Sequence, residues 1–391
     1  VNVARSGLEV LLDDVSRFQG ARVGVACNHT AVTRSLDHIL TAITDRGIDP
    51  VRVFAPEHGV DALAQDMITV DDEGDRLKIV SLYGDTEASL KPDPAHLSDL
   101  DVIFFDIQDI GARYYTYQAT LGFIMEVAAT TGTKVVVLDR PNPIDGISVE
   151  GNVVAAGFES FVSAYPLANR HGMTMGELGL YFRDHIGIDC ELEVVPLEGW
   201  ARHQWLDETD LPWVFPSPNM PTLECAGIYP GMCLIEGTNL SEGRGTTRPF
   251  HLVGAPFVDR ERFTDLCRKG AADAGLEGIS FRAASFEPRF QKHAGVPCHG
   301  TEIFVDDRRV MEPLLLGLVV LEAALRANPD DFAWRTETYE FVDDPIAIDL
   351  LCGSEEARVG LETRIRPRDL IDAWKPQLSD WSEIRGQFLM Y

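Results

Sequence analysis

Val102-Ile103-Phe104-Phe105, apolar throughout and without alternation, run straight into Asp106-Ile107-Gln108-Asp109. A run this short and this evenly apolar reads as a strand buried on both faces, as in a parallel sheet. Similar runs lie on either side of it, at residues 22–26, 51–55, 78–82 and 135–138. Between the first two, Leu36, Ile39, Leu40 and Ile43 share one helical face. Leu121, Ile124, Met125 and Ala128 repeat that spacing before the last run, and Gly132 is placed to end the helix. Strand and helix in this alternation predict a Rossmann-like, doubly wound α/β domain.

Further along, the pattern loosens. Thr174 and Glu177 are spaced as a capping box for a helix carrying Leu178, Tyr181 and Phe182. Residues 191–196 read as a strand. Residues 200–256 are dense in Pro, Gly, Asn and Trp with little periodicity, a pattern usually functional inside a compact protein. Strands over 279–283 and 302–305 and helices over 313–327 and 368–374 complete the chain. We expect an N-terminal Rossmann-like domain with long Pro/Gly-rich loops over 1–245, followed by a smaller α+β domain over 246–391. There is no internal repeat.

Composition narrows the function. The 391 residues are 45% hydrophobic and 25% charged, an ordinary globular mix that excludes fibrous and disordered classes. No apolar run reaches the ~18–20 residues that cross a bilayer. With 62 acidic against 34 basic side chains the net charge is −28, which repels nucleic acid and anionic membrane surfaces. We therefore expect no nucleic-acid partner and no membrane insertion, although a local cationic pocket can still hold an anionic small molecule. Seven dispersed Cys without CxxC argue against a disulfide framework or structural zinc site. Val1 to Asp13 lacks a basic and an apolar signal region. That suits the cytoplasm for the chain as given, and secretion or a periplasm where a signal has been removed. Oligomeric state has no sequence signature.

In a parallel sheet, ligands bind beyond the carboxyl ends of the strands. Those ends read Asn28-His29, Glu57-His58, Tyr83, Asp106 with Gln108, and Asp139-Arg140. Strand ends reach water in any case, but five polar ends on one rim mark that rim as a site. Pro56-Glu57-His58-Gly59 places a carboxylic acid beside an imidazole on a tight turn, a pairing that can be tuned for acid–base work. Glu57 is the better candidate to face the pocket, and capping or pairing with an Arg is its plain alternative. Asp106 and Gln108 share a face of the extended chain, whereas Asp109 belongs to the turn. Arg113 can clamp a carboxylate, and Tyr115 can stack on a sugar or donate its hydroxyl. Asp139-Arg140-Pro141-Asn142-Pro143 is either a ligand contact on rigid backbone or a stiff turn. Arg170-His171 precede the capped helix, where free N–H groups favour an anion; Glu177 belongs to the cap.

Two later loops, 217–224 and 236–247, concentrate polar groups on backbone fixed by Pro or freed by Gly. The second lacks the Lys of a P-loop and does not open a helix after a strand, so it is no nucleotide fingerprint. HExxH and GxSxG are absent. A metal held by Glu57, His58, Asp106 and Asp139 is geometrically conceivable, and Cys27 reads as a buried structural thiol.

These strings, with Asn28-His29-Thr30, Ala55-Pro56-Glu57-His58-Gly59, Tyr83-Gly84, Phe105 to Asp109 followed by Gly111, Arg113, Tyr115 and Tyr117, Leu138 to Pro143, Arg170 to Thr174, Pro216 to Pro221 and Glu236 to Asn239 with 241–247, resemble one family. The sequence is similar, from about Gly7 to Tyr391, to the YbbC-like exo-β-N-acetylmuramidases of the NamZ type. The resemblance implies a Rossmann-like domain and a smaller C-terminal domain with the active site in the cleft between them. It implies a glycoside hydrolase that releases N-acetylmuramic acid from the non-reducing end of peptidoglycan fragments, in cell-wall turnover and recycling. No cofactor is implied, and the partner is a small sugar or muropeptide.

A glycosidase needs an acid for the leaving oxygen and a second group that supports the oxocarbenium-like centre or activates water. We expect Glu57 to be the acid/base, with His58 nearby to tune it. Asp106 leads as second carboxylate, ahead of Glu224, Glu236 and Glu242. Arg113, Arg170 and Arg244 are candidates for the lactyl carboxylate of the sugar. Tyr115 and Asn219 suit its hydroxyls or acetamido group, and Asn28, Gln108, Asp139, Arg140, His171 and Asn239 complete the expected binding set. A non-catalytic muropeptide-binding protein and a metal-dependent hydrolase using the same cleft remain the alternatives.

Overall fold

A computed structural model describes residues 3–56, 59, 78–84 and 86–391. Among these the strands are, in chain order, β1 (Val23–Cys27), β2 (Arg52–Ala55), β3 (Lys78–Ser81), β4 (Val102–Asp106), β5 (Lys134–Leu138), β6 (Glu150–Val153), β7 (Ala168–Arg170), β8 (Leu192–Val195), β9 (Leu252–Ala255), β10 (Ile279–Phe286) and β11 (Cys298–Val305). The short apolar runs at the start of the chain are strands of one parallel sheet, ordered β3-β2-β1-β4-β5-β8.

Their lack of alternation has a direct cause. Val102 and Phe104 point into one apolar layer with Val23, Val25 and Leu138, under the helices Gly7–Leu11 and Ile39–Thr44. Ile103 and Phe105 point into the other with Phe54, Val135 and Val137, against the helix Tyr117–Thr131. Both faces are covered, so every position is apolar. Gly24 on β1 makes room: a Cβ there would sit 2.6 Å from Leu100 and 3.1 Å from Phe54.

The helix Tyr117–Thr131 ends at Gly132, whose φ of +74° is the left-handed conformation glycine adopts without strain. The preceding helix corrects the expectation for Leu36. It begins at Ile39, and Leu36 lies in a turn with φ +69° and is 61% exposed. Thr174 and Glu177 form the expected capping box, reciprocally bonded at 3.3 and 3.0 Å.

The second half of the chain builds a smaller antiparallel sheet, β10-β11-β9, covered by the helix Arg260–Ala274. The helix Pro313–Ala327 packs on that helix and, on its other side, on the helix Leu223–Met232. Gly231 and Gly317 are the contact between these last two: a Cβ on Gly317 would lie 2.8 Å from the Gly231 carbonyl carbon. The region 200–256, expected to be irregular, thus holds a helix and β9. That helix shows no period because Cys225 through Met232 are all buried, leaving no polar face to read. The chain closes on its beginning: the Met390 N–H donates to Glu177 (2.8 Å) and the Tyr391 hydroxyl to Asp139 (2.6 Å). Among the described residues no helix is long and apolar enough to cross a membrane.

Candidate active site

Strand order in the parallel sheet reverses between β1 and β4, the point where such folds open a crevice, and polar residues follow these strands and β5. Most of them are engaged with the protein itself. Asp106 is fully buried and takes both Nε and Nη2 of Arg140, the latter at 3.0 Å; Arg140 also donates to the Val32 carbonyl at 2.9 Å. Gln108 donates to the carbonyls of Asp109 (2.7 Å) and Pro141 (3.0 Å). Asp139 accepts from Thr174 and the Gly176 N–H, both at 2.7 Å, besides Tyr391, while burial pushes its carboxyl up to about 7.

Arg113 is enclosed and donates to the carbonyls of Asn152, Leu167 and Leu351 at 2.8, 2.8 and 2.9 Å; burial lowers its pKa to about 10. Arg170 is held between Asp145 (2.9 Å) and Glu150 (2.7 Å). His171 accepts the Met173 N–H at Nδ1 (3.2 Å) and turns Nε2 toward Asp109 at 3.4 Å. These groups brace the rim, and none of them is among the described residues lining the cavity built around Tyr117.

Asn28 connects the rim to open space. Its Oδ1 accepts the Thr30 N–H (3.0 Å), and its Nδ2 donates to the Tyr117 hydroxyl (3.0 Å), which donates onward to the Pro216 carbonyl (2.7 Å). Tyr117 lines a cavity of about 620 Å³, a volume typical of small-molecule sites. One wall is aromatic. Tyr115 meets Tyr117 and Tyr229 edge to face at 5.1 and 5.6 Å, and Tyr229 meets Phe250 in the same way at 4.8 Å. Asn219 lies on this side.

Adjoining it is a charged cluster, whose Arg244 guanidinium lies 5.3 Å over the Phe250 ring. Arg244 bonds Glu236 and approaches Glu242 at 3.3 Å; Lys292 reaches the other oxygen of Glu242 at 3.0 Å. The Tyr339 hydroxyl donates to Glu236 at 3.0 Å. Burial alone would lower the Arg244 pKa, but Glu236 and Glu242 outweigh it and hold the guanidinium well above its ordinary value. Residues 333–337, 339 and 340 also line the cavity, and Trp334 among them is fixed through its indole N–H to Glu362 (2.8 Å).

Of the residues expected from sequence, the cavity brings together Tyr115, Asn219, Glu236, Asn239, Glu242 and Arg244. Glu224 lies apart, in a smaller cleft, bonded to His251 at 2.9 Å. Glu57 and His58 lie outside the described residues. Among the described residues no group of three or more His, Cys, Asp or Glu is placed to hold a metal ion. Sequence reasoning missed Lys292, Trp334, Arg335 and Tyr339. Trp334-Arg335-Thr336-Glu337 carried a usable signal, an aromatic among charges in an aperiodic loop. Lys292 carried none.

Comparison with known proteins agrees with this architecture. Residues 23–224 match the family described as exo-beta-N-acetylmuramidase NamZ, N-terminal, and residues 227–391 match its C-terminal counterpart. The chain is 39% identical to the peptidoglycan beta-N-acetylmuramidase NamZ of Bacillus subtilis (strain 168), over 99% of this chain and 91% of that protein. Two crystal structures of DUF1343 family proteins from Bacteroides fragilis superpose with TM-scores of 0.86 and 0.75 at 30% and 25% identity, each covering 99% of both chains. The chain belongs to the NamZ exo-β-N-acetylmuramidase family.

Proposed function

We propose that the protein hydrolyses the β-1,4 bond between N-acetylmuramic acid and N-acetylglucosamine, releasing N-acetylmuramic acid from the non-reducing end of peptidoglycan fragments during cell-wall turnover and recycling. The observation that carries this reading is the cavity: an aromatic cluster for the sugar face adjoining paired carboxylates and cations. Family membership supplies the reaction class.

On this reading Glu57 protonates the leaving oxygen and His58 tunes it. Their support is positional. They follow Pro56 at the exit of β2, which pairs with β1, and β1 leads through Asn28 to Tyr117 in the cavity wall. Glu236 and Glu242 are the cavity carboxylates that can support the oxocarbenium-like centre or orient water. Asp106, taken up by Arg140, supports the rim. Tyr115 and Trp334 receive the sugar faces, and Asn219 the acetamido group.

The test is incubation with MurNAc-β-1,4-GlcNAc, with and without EDTA, followed by mass spectrometry. Free N-acetylmuramic acid should appear at equal rates in both arms. Glu57→Gln should lower turnover about 10³-fold at an unchanged melting temperature. An intact disaccharide that raises the melting temperature would make this a binding protein, and EDTA-sensitive turnover a metal-dependent hydrolase.

A further inference from the structure

N-acetylmuramic acid differs from N-acetylglucosamine by an O-lactyl group. In a protein of net charge −28, the lactyl carboxylate needs a cation that is not already neutralised. The Lys and Arg side chains lining the cavity, among the described residues, are Arg244, Lys292 and Arg335. Arg244 is shared by Glu236 and Glu242. Lys292 has three N–H donors and three acceptors: Glu242 at 3.0 Å and the carbonyls of Ile235 (3.1 Å) and Leu240 (2.9 Å). Arg335 stands in contrast. Among the described residues it forms no ion pair with a carboxylate; its guanidinium lies 5.0 Å over the Tyr339 ring, with one long contact to the Thr338 carbonyl at 3.4 Å.

The backbone beneath Arg335 is fixed. Its N–H donates to the Gly237 carbonyl (2.9 Å), and Trp334 bridges to Thr238. The Asn239 side chain holds the segment on both sides, donating to the Asp331 carbonyl (2.8 Å) and accepting the Ala333 N–H (3.1 Å). We infer that Arg335 is the residue that recognises the lactyl carboxylate, and that Asn239 positions it. The guanidinium fork suits a carboxylate in two-point contact, and the site's other cations are spent. This inference rests on the N-acetylmuramidase reading for the identity of the sugar.

Calorimetry with N-acetylmuramic acid and with its lactyl methyl ester separates the two. The native protein should bind the acid about 30-fold more tightly than the ester. Arg335→Gln should bind both at the ester's level, while Arg335→Lys keeps part of the preference. Unchanged melting temperatures would exclude a folding effect, and circular dichroism of Arg335→Lys provides the folded control should Arg335→Gln prove unstable. A preference that survives in Arg335→Gln, or none in the native protein, overturns the assignment. Failure to hydrolyse the disaccharide would overturn the proposed reaction, and the acid-to-ester ratio would still decide the role of Arg335.

Discussion

The sheet rim and the cavity are built from the same residue types and use them in opposite ways. At the rim, Asp106 and Arg140 neutralise each other, Asp139 is surrounded by donors, and Nη1 and Nη2 of Arg113 donate to backbone carbonyls. In the cavity, Glu236 and Glu242 border open volume while paired with Arg244, Lys292 and Tyr339, and Arg335 has no carboxylate partner among the described residues. Polar groups that satisfy one another inside a protein contribute rigidity; those left facing space can meet a ligand. The rim therefore holds the walls, and on the proposed reading the cavity wall receives the sugar.

The contrast is sharpest at Asp106. Asp106→Asn leaves the Arg140 charge buried and uncompensated, and should cost about 3–5 kcal/mol in denaturant unfolding, with turnover per folded molecule largely kept. A variant of native stability that no longer turns over would break the contrast and make Asp106 the second catalytic carboxylate. On the cavity side, Asn239→Ala removes the two bonds that seat residues 331–335 and should cost about 1–2 kcal/mol. Its kinetic mark should be a KM raised about tenfold with kcat little changed, because binding geometry is loosened and the chemistry is not.

The smallest effect concerns pH. Burial raises the Asp139 carboxyl from 3.8 to about 7. A native pKa above the unfolded one means that the native state holds the proton more tightly. The stabilisation is therefore fully present below about pH 4 and lost as pH rises through about 7. Between about pH 5 and pH 8 the melting temperature should fall a few degrees more than that of Asp139→Asn. Parallel profiles would show that the surrounding donors keep the carboxylate ionised throughout.

What the sequence made legible follows from this contrast. The parallel strands were readable because burial on both faces removes alternation, and the helix Tyr117–Thr131 because its apolar spacing and Gly132 agree. Leu36 misled because an apolar side chain fits helical spacing even where the backbone turns. The helix Leu223–Met232 was invisible because burial all round erases its period. For the site, residue type located polar strand ends but not their partners: Arg113, Arg170 and Arg244 look alike as letters. Only tertiary structure shows that the first bonds carbonyls, the second a pair of acids, and the third a cavity wall. Arg335 stood unread in a loop without periodicity, delivered to the cavity by contacts about a hundred residues distant in sequence.

The meeting of Gly231 and Gly317 has a consequence for the cavity's dimensions. One helix runs on toward Glu236, and the other leads toward Arg335. Where they touch, main chain rests on main chain, with no side chain between them to yield. The separation of two of the cavity's walls is thus a gauge length set when the core closes. A ligand finds the aperture already spaced, and a broader one calls for rebuilt loops, since the joint behind them has no slack to open.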